Sequence, residues 1–236
     1  MSLSGYILSI DQGTTSSRAL ILNENGEILA CKNIEFKQYY PENGWVEQDP
    51  IEIIKTTTDA IKYVLKELEI KAQDIAVAGI TNQRETIVAW DKLSGKPIYN
   101  AIVWQDRRTD NYCNELKEKN LTQTIVSKTG LVIDPYFSAT KIKWILENVK
   151  EAKEFLKKGN LLVGTIDAWL IWNFTKGSEH STDVTNASRT MLYNIVEDKW
   201  DEELLDIFLL PKNILPNVKN SVDDFGKIAP DFFGNE

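Results

Sequence analysis

Short apolar runs at Tyr6–Ile10, Arg18–Leu22 and Ile28–Phe36 predict three successive strands at the start of the chain. Between the second and third stands Asn23-Glu24-Asn25-Gly26, a strong hairpin signal. Asp49-Pro50 then supplies a helix cap followed by a first-turn proline. Behind it Ile51, Ile54, Ile61, Val64, Leu65 and Leu68 fall at helical spacing, which predicts one apolar face packed on a sheet. Ile75–Ile80 is almost wholly apolar, as expected of a strand buried on both faces. Three antiparallel strands, a helix and a buried strand together predict an α/β layered core.

The middle of the chain is less regular. Thr86–Trp90 and Ile98–Val103 predict strands joined through Ser94-Gly95-Lys96-Pro97. Helices are predicted over Arg107–Lys119, Thr140–Asn148, Val149–Lys157 and Asp167–Phe174, the last following a short apolar run at Leu161–Val163. Trp144, Trp169 and Trp172 lie among apolar neighbours on these helices and read as core. Beyond Leu210 proline and asparagine accumulate, periodicity weakens, and the sequence reaches "PDFFGNE" without a closing amphipathic element.

Composition narrows the function. A formal net charge of -8 argues against a nucleic-acid binder, which carries a basic face, but leaves room for a local anion site. Cys31 and Cys113 lie far apart in no metal-ligand or CxxC spacing, and read as reduced, buried thiols of a cytoplasmic protein. No apolar run approaches the roughly 20 residues of a membrane span. The N-terminus lacks the basic and apolar regions of a signal peptide, and "MSLSG" is compatible with a cloning remnant. His180, the one histidine, has no visible metal or triad partner and reads as a surface residue.

The stretch with the clearest chemistry is Asp11-Gln12-Gly13-Thr14-Thr15-Ser16-Ser17-Arg18, between the first two strands. It reads as longer than the two to five residues of a simple hairpin loop. A phosphate site needs backbone N–H groups facing one concavity, small side chains and extra hydroxyl donors. Gly13, Thr14, Thr15 and Ser16 supply all three, Arg18 could pair with a phosphoryl oxygen, and Asp11 could hold Mg²⁺ directly or through water. The same octet is equally compatible with a polar hairpin loop in which Asp11 caps its own turn. Neither G-x-x-x-x-G-K-[ST] nor G-x-G-x-x-G occurs, so a P-loop and a dinucleotide fold are both disfavoured. A second polar stretch, Asn82-Gln83-Arg84-Glu85-Thr86, follows the apolar strand directly, where ligands of open sheets bind. Arg84 and Glu85 can both touch one ligand only if the strand has ended there; otherwise they form a solvated charge pair.

These residues carry a resemblance. The Asp11–Arg18 octet resembles the first phosphate loop of the FGGY carbohydrate kinases, and Tyr136-Phe137-Ser138-Ala139-Thr140-Lys141-Ile142-Lys143-Trp144 with Glu147-Asn148 is similar to a signature of that family. The resemblance implies a ribonuclease-H-like domain of the actin/Hsp70/sugar-kinase type, with a mixed β-sheet flanked by helices. Asn82–Thr86, Trp90-Asp91, Asn100–Thr109 and Ser181–Thr190 are similar specifically to the glycerol-phosphorylating members. That implies glycerol bound by Arg84, Glu85, Trp104 and Tyr136, with ATP and Mg²⁺ as co-substrate and cofactor. Related kinases for a pentulose or other polyol, and a stand-alone binding domain without catalysis, are the alternatives.

In the family the base that takes the hydroxyl proton is an Asp of a C-terminal half, which also binds the adenine of ATP or ADP. No matching stretch occurs here, so residues 1–236 are expected to form the N-terminal kinase domain, to contain no catalytic base and to have little activity alone. The full-length enzyme is expected to form a homo-oligomer. The tail also lacks the Gly-Gly-Thr-Arg loop that some members use for fructose 1,6-bisphosphate.

Overall fold

The computed structural model describes residues 5–234; the N-terminal residues of "MSLSG" up to Ser4 lie outside them. The predicted opening is present: β1 (Tyr6–Gln12), β2 (Ser16–Leu22) and β3 (Ile28–Glu35) form an antiparallel meander. Gly26, at φ +79°, closes the second turn by donating to the Asn23 carbonyl, a geometry that favours glycine. After a short β4 (Glu47–Gln48) comes α1 (Pro50–Glu67), whose first turn is capped by the Asp49 carboxylate accepting from the Ile51 N–H. The face of α1 turned to the sheet holds Ile53, Ala60, Ile61, Val64 and Leu65, whereas Ile51 points outward. Ile53, not Ile51, is therefore the first core position.

β5 (Ile75–Asn82) runs parallel to β1, so the first sheet has the order β3-β2-β1-β5. The expectation that this strand is buried on both faces is not met. β5 is an edge strand with exposed Ala76, Val77, Ala78 and Gly79, and Val77 is 45% exposed. It has one neighbouring strand, and its small side chains leave open clefts beside it.

Burial along the whole strand is found instead at β6 (Ile87–Asp91), which with β7 (Ala101–Ile102) belongs to a second sheet. Then follow α2 (Asp110–Glu118), α3 (Thr122–Thr129), α4 (Ser138–Asn148), α5 (Lys150–Lys158), β8 (Leu161–Thr165) and α6 (Ile166–Phe174). The second sheet has the order β4-β7-β6-β8. Along β6 alternate residues enter different cores: Val88 and Trp90 face α1, α6 and the first sheet, whereas Ile87 and Ala89 face the helices α2 to α5. The strand expected at Ile98–Val103 shortens to β7, and the helix expected from Arg107 starts at Asp110.

The rest of the chain wraps these layers. β9 (Ser181–Asp183), α7 (Val184–Ala187), β10 (Tyr193–Asn194), β11 (Lys199–Trp200), α8 (Glu202–Phe208) and β12 (Asn217–Lys219) follow. β12 pairs with β9 in parallel. The tail is not loose: a single helical turn at Pro230–Phe233 packs Phe232 and Phe233 on the first core, with the Phe232 ring 5.0 Å from Phe174. Cys113 is buried, and burial pushes its thiol up to about 12, but Cys31 on β3 is exposed, contrary to expectation. His180 is no surface residue either: it packs edge-on against Trp90 and Trp172, and burial pushes its ring down to about 4.

Candidate functional site

The turn between β1 and β2 is tighter than its sequence suggests. β1 continues through Asp11 and Gln12, and β2 already begins at Ser16, with Asp11 opposite Arg18 and Gln12 opposite Ser17. Polar residues hid these strand ends because Gln12 and Ser17 are buried by hydrogen bonding rather than by apolar contact; the Ser17 hydroxyl meets Thr56 Oγ1 on α1 at 2.9 Å. Asp11 and Arg18 form a half-exposed cross-strand ion pair at 3.7 Å.

Gly13 closes the turn by donating its N–H to the Ser16 carbonyl, and a Cβ on Gly13 would stand 3.3 Å from that oxygen. The turn's carbonyls face inward. That of Thr14 accepts from the amides of Gln38 and Gln48, and that of Gly13 from the amides of Gln12 and Gln83. The N–H groups of Thr14 and Thr15 find no partner among the described residues, so two backbone donors at the tip stay available.

Gln83 joins this turn to the rest of the site. Its backbone N–H donates to the Gln12 carbonyl at 2.7 Å, and its side-chain amide reaches Gln48 Oε1 at 2.7 Å. Thr86 Oγ1 donates to Gln83 Oε1 at 3.0 Å and accepts from the Trp104 backbone N–H at 3.2 Å. The Trp104 indole Nε1 then donates to Thr14 Oγ1 at 3.0 Å. Trp104 is thus tied at both its backbone and its ring, and its ring centroid lies 5.2 Å from that of Tyr136.

β5 has ended before Arg84 and Glu85, which sit in the turn leading to β6. The two side chains nonetheless part. Glu85 is 2% exposed and takes the left-handed backbone, φ +65°, a conformation that costs a non-glycine residue energy and concentrates at functional sites. Its carboxylate accepts from Arg189 Nε at 2.6 Å. Arg84 is exposed and lines a cleft of about 530 Å³ beside β5, with Asn82, Asp167, Asp183 and Asn186. In that cleft Asp167 accepts from the hydroxyls of Thr165 and Thr182, and burial pushes its carboxyl up to about 6.

Glu85, Trp104, Tyr136 and the Thr14 turn are therefore linked through contacts, and Arg84 lies on the adjoining cleft. Three further residues build the site without having been singled out. Arg189 comes from the segment after α7 and stands over the rings of Tyr136 and Phe137 at 5.8 and 4.9 Å. Lys141 on α4 is fully buried, with its Nζ 2.8, 2.7 and 2.8 Å from the carbonyls of Pro135, Tyr136 and Phe137. Burial pushes its ammonium down to about 7, yet only the ammonium has a donor for each of three acceptors. Arg108, its side chain 0% exposed, lies between the rings of Trp45 and Trp144 and pairs with Glu47 at 2.7 Å and Asp106 at 2.8 Å, which anchors the Trp104 loop. The run Gln105–Arg108 gives no local sign of this, because both the aromatic walls and Glu47 come from distant segments.

Among the described residues no group of three or more metal-ligating side chains occurs, and no helix is long and apolar enough to cross a membrane.

The profile of the FGGY family of carbohydrate kinases, N-terminal domain, matches residues 6–235. Glycerol kinase 1 of Clostridium tetani is 56% identical over 230 residues, covering 98% of this chain and 46% of that protein. The glycerol kinase of Rhizobium meliloti is 54% identical over 232 residues, covering 98% and 47%. The crystal structure of Plasmodium falciparum glycerol kinase with ADP superposes with a TM-score of 0.91 at 38% identity, over 98% of this chain and 46% of that one. The chain thus spans about half the length of the curated relatives it matches. With a ribonuclease-H-like sheet, a hairpin turn offering free backbone donors and a profile match over almost every residue, this chain belongs to the FGGY family of carbohydrate kinases.

Proposed function

We propose that this chain is the polyol-binding, N-terminal part of an enzyme that transfers a phosphoryl group from ATP to glycerol. The observation that carries the reading is the 3.0 Å bond from the Trp104 indole to Thr14 Oγ1, which joins the cluster of Trp104, Tyr136, Arg189 and Glu85 directly to the donor-bearing turn. A triol offers little apolar surface and several hydroxyls. Trp104 covers its carbon backbone, Glu85 accepts from one hydroxyl, Tyr136 contributes its own hydroxyl, and Arg84 donates from the cleft side. A pocket that bonds each hydroxyl rejects an analogue lacking one, since its buried polar groups then go unpaired.

The phosphate end follows the same logic. The N–H groups of Thr14 and Thr15, the Ser16 hydroxyl and the Arg18 guanidinium are suited to phosphoryl oxygens, with Gly13 allowing the close approach. Asp11, half-exposed at the end of β1, suits Mg²⁺, which keeps several waters and needs only one or two carboxylates beside phosphate. When bound, the ion neutralises phosphate charge. The proton acceptor and the adenine pocket are assigned to a C-terminal half, and the chain contributes no catalytic base. The relatives' double length and the open apolar edge of β5 support a further part of the protein packing there. The same reading places the enzyme in the cytoplasm as a homo-oligomer.

The test is ADP release by the purified gene product with ATP, Mg²⁺ and either glycerol, a pentulose or 1,2-propanediol. Turnover with glycerol and little with the diol is expected, and residues 1–236 alone should show little or none. Preference for the pentulose supports the related polyol kinase, and no turnover with any acceptor overturns the reading.

A further inference from the structure

We infer that Arg189 is a positioning and specificity-determining residue of the polyol pocket: it takes one oxygen of the Glu85 carboxylate and leaves the other aimed at a substrate hydroxyl. The inference rests on the glycerol reading above.

The geometry is specific. Arg189 Nε donates to Glu85 Oε1, while Oε2 has no partner among the described residues. The Glu85 backbone is held in its left-handed conformation with its carbonyl accepting from Ser138 Oγ at 3.2 Å, so the side chain leaves the turn in one direction. Glu85 is buried, and Arg189 is the cation the fold sets against it, 2.6 Å away. The guanidinium also stands over Phe137 and Tyr136, so one cation ties the acid of the β5–β6 turn to the aromatic wall leading into α4. Planar and forked, it can do both at once; an ammonium cannot.

Two consequences distinguish positioning from general support. With Oε1 occupied, Glu85 has one acceptor edge for substrate, and a ligand without a matching hydroxyl leaves that edge buried and unpaired. The Arg189 side chain is 31% exposed and makes no other hydrogen bond or ion pair among the described residues, so replacing it acts mainly through Glu85.

The experiment compares the unaltered gene product with Arg189→Met, Arg189→Lys, Glu85→Gln and the Arg189→Met/Glu85→Gln double variant. Arg189→Met is expected to raise the glycerol KM by at least about tenfold with the ATP KM unchanged, and to narrow the preference for glycerol over 1,2-propanediol. Arg189→Lys should recover part of the loss. Because both residues serve one contact, the double variant should lie within about twofold of Glu85→Gln alone. Unchanged glycerol KM in Arg189→Met, or effects that multiply in the double variant, overturns the inference. Should Arg189→Met fail to fold, Arg189→Lys is read instead, where a raised glycerol KM at constant ATP KM supports the inference and an unchanged one overturns it. An unaltered protein that does not phosphorylate glycerol sinks the functional reading itself; a working parent with an unaffected Arg189 variant sinks only this assignment.

Discussion

Replacing Lys141 with Met keeps the length of a fully buried side chain and removes its ammonium. Three consecutive carbonyls, Pro135, Tyr136 and Phe137, then lose a donor at 2.7–2.8 Å. Each buried acceptor left without its partner costs about 1–3 kcal/mol. Against this, Met needs no desolvation of a charge, an effect of several kcal/mol that often makes an apolar replacement neutral. Here the acceptors are backbone and cannot be replaced along with the lysine, so the losses prevail. A net destabilisation of about 3 kcal/mol follows, or roughly 6–12 °C in Tm for a chain of this size. Urea unfolding of the chain and of Lys141→Met, followed by tryptophan fluorescence, measures it. The carbonyls belong to the segment that carries Tyr136, so the near-ultraviolet signal of the Trp104–Tyr136 pair should change before global unfolding. Equal or greater stability in Lys141→Met refutes the claim that this lysine organises the loop.

Other outcomes follow from the same structure. Arg108→Met leaves the buried carboxylates of Glu47 and Asp106 without their cation and should cost about 3–5 kcal/mol by urea unfolding. Gly164→Ala places a Cβ 2.7 Å from Ala168 Cβ and 3.3 Å from the Trp90 ring, and should lower Tm by several degrees, roughly 1–3 kcal/mol of overpacking. Two buried groups act oppositely on pH. His180, at about 4 in the fold against 6.5, contributes stability present above pH 6.5 and lost as pH falls to 4, about 3 kcal/mol. Asp167, at about 6 against 3.8, contributes stability present below pH 3.8 and lost as pH rises to 6, about 3 kcal/mol. Between pH 4 and 6 they nearly cancel, so in urea titrations His180→Asn should make stability fall as pH rises through that window, and Asp167→Asn should make it rise.

Much of the scaffold is written locally. The Asn23–Gly26 turn and the Asp49 cap need only their own neighbours, and both appear where the sequence puts them. What escaped is non-local. β5 reads as doubly buried because apolar composition does not say whether a strand lies at an edge. β9 and β12 are three residues each and exist only by pairing across a long loop. α3, with Ile125 and Thr129 as its buried positions, has too little apolar periodicity to announce itself. The turn at Gly13–Thr15 looked longer than it is because hydrogen bonding, not apolar packing, buries its flanks. For the site, the family resemblance marked Glu85, Trp104 and Tyr136, and the structure joins them through contacts. The partner of Glu85 lies 104 residues away, and no spacing rule reaches that far.

The most direct test of the account is a glycerol titration of the gene product with indole-labelled tryptophan, followed by two-dimensional NMR. Trp104 packs against Tyr136, and its indole N–H is bonded to Thr14 of the turn. The account predicts that the Trp104 indole signal moves with glycerol and far less with 1,2-propanediol, while the buried Trp90 and Trp169 signals stay still. A Trp104 signal unmoved at glycerol concentrations that saturate turnover would contradict the placement of the substrate beside the Thr14 turn.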